Sequence, residues 1–112
     1  MGNLYNTTLA LKGTLFDAMK AGEKTVEIRN HSQGISEDDV VRFTKGYNPE
    51  YGSLIRRVVE VDEKNVLDIT VRELIAAQIR NLPWLLDYAE GSLFLFHLEE
   101  LSSETSEVMK SG

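Results

Sequence analysis

Gly22-Glu23-Lys24-Thr25-Val26-Glu27-Ile28-Arg29 is the stretch on which the reading of this chain turns. Side chains alternate across a strand, so Val26 and Ile28 supply one apolar face while Thr25, Glu27 and Arg29 occupy the other. One face can therefore pack and the opposite face carries chemistry. Just before it, Leu15, Phe16 and Met19 form an apolar stripe at helical spacing. Thr14 reads as its cap, with Asp17 three residues on, and Gly22 stands where helices often end in a left-handed residue. A helix over about 14–21 feeding a strand at 24–29 follows. Upstream, Leu9 and Leu11 alternate with small residues in a half-buried strand over Tyr5 to Leu11.

Downstream, Asn30 to Asp39 is a polar loop anchored by Ile35, and Val40 to Thr44 reads as a third strand. Lys45 to Gly52 is rich in turn residues and precedes a longer strand over Leu54 to Val61. The charged segment Glu60 to Asn65 turns before Val66 to Ile69 extends again. Thr70-Val71-Arg72-Glu73 matches a capping box, with the hydroxyl and the carboxylate closing orphan amides reciprocally. Val71, Leu74, Ile75 and Ile79 then predict a helix over about 71–80. Pro83 starts a short third helix to Ala89, closed by Gly91. Ser92 to Leu101 is apolar on both faces, as in a buried central strand. Residues 102–112 are polar and read as a disordered tail.

The order strand, helix, strand, strand, strand, helix pair, strand has too many closely spaced strands for regular crossovers. The expected fold class is α+β: a small, mainly antiparallel β-barrel with flanking helices, formed by residues 1–101 as one domain. A length of 112 residues supports one core and not two. The chain is 42% hydrophobic and 27% charged, as in soluble globular proteins. Its longest apolar run, Leu93 to Phe96, is far shorter than a membrane span, so no membrane partner is expected. Without cysteine there is neither a disulfide nor a thiolate metal site, and a cytoplasmic location is the expectation.

The net charge of −6 argues against coating nucleic acid by electrostatics alone. The acids are unevenly placed, however. Residues 1–57 hold eight Lys/Arg against seven Asp/Glu, whereas residues 58–112 hold four against eleven. Lys12, Lys20, Lys24, Arg29, Arg42, Lys45, Arg56 and Arg57 can thus form a local basic patch. The alternative is a mixed-charge surface kept soluble by its acids. No metal and no cofactor are expected, because two distant histidines and the run Glu37-Asp38-Asp39 lack ligand spacing. There is no phosphate-cradling glycine loop and no Gly-x-Ser-x-Gly elbow.

Leu9-Ala10-Leu11 followed by Phe16 through Arg29 resembles the signature of ASCH domains, members of the PUA-like superfamily: a helix ending in Gly, a Lys-Thr pair, then Glu or Thr two residues on, and Arg. The resemblance extends loosely to Asp38 through Phe43, with Asp38 in place of a glycine, to Val58 through Val61, and to Phe94 through Leu98. It implies a PUA-like pseudo-barrel with a cleft between barrel and helix, lined by the Lys-Thr-x-Glu-x-Arg strand, that binds RNA or a nucleotide-like small molecule. In that cleft Arg29 would stack on a base or grip a phosphate, Lys24 would add a point charge, and Glu27 would accept from an exocyclic amine, with Thr25 beside them. Tyr47, Tyr51 and Tyr5 are candidate stacking platforms.

One branch of that superfamily consists of amidohydrolases acting on acetylated cytidine through a Lys, a Thr and a distant Glu. Lys24 matches the lysine, but Glu27 stands where the threonine nucleophile belongs and Thr25 matches the preceding threonine. A carboxylate cannot replace an activated hydroxyl without changing the mechanism. Glu73 is the candidate second carboxylate and is equally explained as a cap. Ribonuclease chemistry would draw on Glu27 or His31 with Lys24 and Arg29. The bland readings are a simple Glu27–Arg29 ion pair, a surface His31 and a half-buried, structural His97. A third reading is a protein-interaction module whose acidic half binds a partner.

Overall fold

Residues 5–87 and 91–100 are described by a computed structural model. The spine of the sheet is β4 (Ser53–Asn65), a 13-residue strand long enough to pair with two neighbours at once. One flank takes β3 (Val40–Lys45), and the other takes β5 (Ser92–Glu100) along nearly its whole length. β1 (Thr7–Leu11) lies parallel to β3, and β2 (Val26–Arg29) is antiparallel to β5. The sheet order is therefore β1-β3-β4-β5-β2, which places the two strands joined by the first helix at opposite edges.

The sheet curls into a half-barrel, an α+β fold of the expected class. Its two edges approach each other closely enough for Arg29 on β2 to donate from Nη2 to the carbonyl of Ala10 on β1, at 2.9 Å. Lys24, Glu27 and Arg29, three of the candidate site residues, collect at that seam.

Several boundaries differ from the sequence expectations for local reasons. α1 (Gly13–Lys20) begins one residue early, and Lys12 occupies the cap position without any side-chain bond, so Thr14 is not a cap. Glu60 to Asn65 does not turn; pairing with β5 keeps it extended, with a bulge between Val58 and Glu60. After it, Val66–Asp68 forms a 3₁₀ turn where a further strand was expected. α2 (Val71–Ala77) carries the capping box as expected, with the Glu73 amide bonded to Thr70 Oγ1 at 3.1 Å and the Thr70 amide to Glu73 Oε1 at 2.8 Å. It stops at Gln78, which sits at φ 61° in the left-handed region. α3 (Leu82–Leu86) starts on an Asn81 cap with Pro83 in its first turn. The expected tail, 102–112, lies outside the described residues.

Two apolar clusters hold the sheet from its two faces. On the concave side Phe16 and Met19 of α1 meet Val41, Phe43, Val58, Phe96 and Leu98. On the other side α2 and α3 cover Val26, Ile28, Leu93 and Leu95. β5 feeds both clusters by alternation, which explains a strand apolar throughout. Each of its fully buried side chains contributes about 1.5–3 kcal/mol. Among the described residues no helix is long and apolar enough to cross a membrane.

Candidate functional site

Lys24, Glu27 and Arg29 form one connected array at the seam. Gly22, at φ 84°, turns the chain out of α1 so that Lys24 enters just before β2. The Lys24 side chain is almost wholly buried. Its ammonium donates to the carbonyls of Val26 and Ala77, each at 2.7 Å, and meets Glu27 Oε1 at 3.0 Å. Three donors have three acceptors, one of them at the carbonyl end of α2 where the helix dipole favours a cation. Burial pushes the Lys24 pKa below that of an ordinary lysine, with the Glu27 charge pulling the other way.

Glu27 faces the concave side opposite Phe96 and is itself buried. Its second oxygen, Oε2, accepts from Arg29 Nε at 2.5 Å. Arg29 is thus fixed twice, by Glu27 within its strand and by Ala10 across the seam, while its side chain stays 26% exposed. Two cations around one anion leave a single net positive charge on the floor of a recess.

That recess is a cleft of about 740 Å³. Its floor is Lys24, Glu27 and Arg29; Lys12, Thr14 and Asp17 of the β1–α1 corner form one wall. The other wall is the α2–α3 connection and the first turn of α3, with Gln78, Arg80 and Trp84. Sequence reading missed this second wall. Its one advance signal is a helix pattern that expires at Ile79, just before the polar pair Arg80-Asn81 and an apolar segment holding the only tryptophan.

The remaining expected site residues lie elsewhere. The Thr25 side chain is exposed; what it contributes is backbone, its amide bonding Ala76 and its carbonyl Leu98. His31 is exposed in the following loop, where Nδ1 accepts from the Gln33 amide at 3.2 Å. Tyr47 is 97% exposed at a loop tip, and neither it nor His31 lines the cleft. Tyr5 packs under Arg42, with the guanidinium 5.3 Å from the ring centroid. Glu73 is taken up by the capping box and by Lys64 Nζ at 2.8 Å, and does not line the cleft either.

No family model matches the sequence, and no curated protein does. Solved structures do match in shape. The crystal structure of ASCH from Zymomonas mobilis superposes with a TM-score of 0.68 at 19% identity, over 83% of this chain and 66% of that one. The chain thus spans just under two thirds of that protein's length. Protein EF3133 from Enterococcus faecalis gives a TM-score of 0.66 at 13% identity, over 88% of this chain and 81% of that one. The hypothetical protein PH0355 gives 0.58 at 14% identity, over 85% and 98%. The fold is therefore of the ASCH type.

Proposed function

We propose that this chain is an RNA- or nucleotide-binding domain whose ligand occupies the seam cleft. The observation that carries the reading is the paired fixation of Arg29: a guanidinium held by Glu27 and by Ala10 O, yet open to the cleft. An arginine whose rotamer is set before binding loses little entropy on meeting a phosphate or a base edge. Arg80 on the opposite wall supplies a second cation, and the Trp84 indole an aromatic surface of the kind unpaired bases stack on. Lys24 has its donors committed inside the fold, so its role is to hold Glu27 and, through it, Arg29. A cysteine-free chain working in the cytoplasm belongs to the same proposal.

Titration of the ¹⁵N-labelled protein with a short single-stranded RNA and with cytidine nucleotides tests this. Amides of residues 24–31 and 78–84 should shift together. Arg29→Gln and Arg80→Gln should each weaken binding and lower the salt dependence by about one counterion. Shifts confined to the exposed apolar positions Val71, Ile75, Leu82 and Leu86 would instead identify a protein-interaction module. Turnover of acetylated cytidine by the wild-type protein would identify an enzyme.

A further inference from the structure

The bulge in β4 assembles a second group of chemically active side chains, on the convex face of the sheet and apart from the cleft. Counting back from the pair Val58–Leu98, an unbroken ladder would set Val59 opposite His97 and Glu60 opposite Phe96. One extra residue changes this. Glu60 stands opposite His97, and Asp62, two residues on, shares the same face. Bulges commonly re-aim side chains in this way. Here the result is one imidazole and two carboxylates whose donor atoms all lie within 4.8 Å of one another. His97 Nε2 is already 2.9 Å from Asp62 Oδ2.

We propose that Glu60, Asp62 and His97 bind a divalent metal ion of the zinc type. One neutral imidazole with two carboxylates is a donor set suited to such borderline ions, and its charge of −2 balances a divalent cation. At metal–ligand distances of about 2.1 Å, tetrahedrally disposed donors stand roughly 3.4 Å apart. The Asp62–His97 contact would open by about half an ångström to reach that spacing, and Glu60, which is exposed, would swing in. As a ligand the neutral ring would present the Nε2 lone pair to the ion and carry its single proton on Nδ1, while Asp62 Oδ2 turns from Nε2 to the ion. On its other side His97 is paired with the buried Val26, so the imidazole has a dry wall behind it and an open one towards β4. Side-chain exposures of 25% for His97 and 30% for Asp62 leave room for water in the remaining positions. Lys64, next along the same strand face, is drawn off by Glu73 at 2.8 Å.

The histidine content makes the test direct, because the chain has only His31 and His97. Chelator-treated full-length protein is titrated with zinc chloride while the imidazole ¹⁵N resonances and the heat of binding are recorded. The expected result is one saturable equivalent, a large shift of His97 Nε2 and no shift of His31. Asp62→Asn and Glu60→Gln, both mild changes on a partly open face, should each lower affinity by more than about tenfold, the loss typical even of an outer-shell partner. Manganese chloride should broaden the amides of residues 60–62 and 97 selectively. Binding that perturbs His31 equally, that does not saturate, or that both variants leave unchanged would overturn the assignment.

Discussion

Replacing Lys24 with methionine removes a charge but little volume, and it tests whether the array at the seam is held from within. At 3.0 Å the Lys24–Glu27 attraction is about 5–6 kcal/mol in an effective dielectric of roughly 20. Desolvating the ammonium costs several kcal/mol, so the intact pair contributes little net stability. Its removal is another matter. Glu27 would keep only Arg29, and the carbonyls of Val26 and Ala77 would lose a donor, at about 1–3 kcal/mol for each one left unsatisfied. The expected loss is about 3–5 kcal/mol, a large share of the 5–15 kcal/mol typical of a whole domain. Urea unfolding followed by Trp84 fluorescence measures it. Glu27→Gln in the Lys24→Met background should recover at least about 1 kcal/mol relative to additivity, since the buried charge then has nothing to miss. The sign of the pH effect follows from the depressed Lys24 pKa. Between its folded and unfolded pKa values the unfolded chain binds the extra proton, so wild-type stability rises with pH there and the cost of Lys24→Met grows. A loss below about 1 kcal/mol, or strict additivity with Glu27→Gln, would refute the reasoning.

Glu73→Gln should destabilise the protein by about 1 kcal/mol at neutral pH, through the capping box and the Lys64 contact. Burial alone would raise the Glu73 pKa, but bonds from Lys64 and Thr70 outweigh it and hold it below the ordinary value of 4.5. Its contribution is therefore complete above that value and lost as pH falls through the lower folded pKa, so wild-type and variant denaturation curves should converge in acid. Gly52→Ala should lower the melting temperature by several degrees in calorimetry. Gly52 sits at φ 142°, and a Cβ there would come within 3.2 Å of two atoms of the buried Phe16 ring. An unchanged melting temperature would mean that Phe16 yields without cost.

What the sequence disclosed and what it hid divide along chain distance. The capping box at Thr70 and Glu73, the left-handed Gly22 and the two-faced β5 are local facts, written in spacings of two to four residues, and the structure carries all three. The helix start at Thr14 failed for a local reason too: the chain enters α1 through Lys12, whose side chain makes no cap bond, and a favourable residue type two positions late cannot close the first amides. Glu60 to Asn65 failed because its charge pattern describes an isolated strand end, whereas β5 pairs with it throughout and overrides the local preference.

The cleft shows the same division more sharply. Lys24, Glu27 and Arg29 lie within six residues and were legible as a group, but what each does depends on atoms far along the chain. Ala77, 53 residues from Lys24, takes one of its donors, and Ala10, 19 residues before Arg29, fixes its guanidinium. These long-range bonds invert the order of importance that the motif implies. The lysine, the most eye-catching member of the Lys-Thr pair, is spent on holding the fold together. The arginine at the far end of β2 keeps an accessible edge because the open seam of the half-barrel, unlike a closed barrel wall, leaves room beside it. A barrel sealed by direct β1–β2 pairing would have covered the same residues with backbone, so the proposed ligand site depends on the unclosed seam.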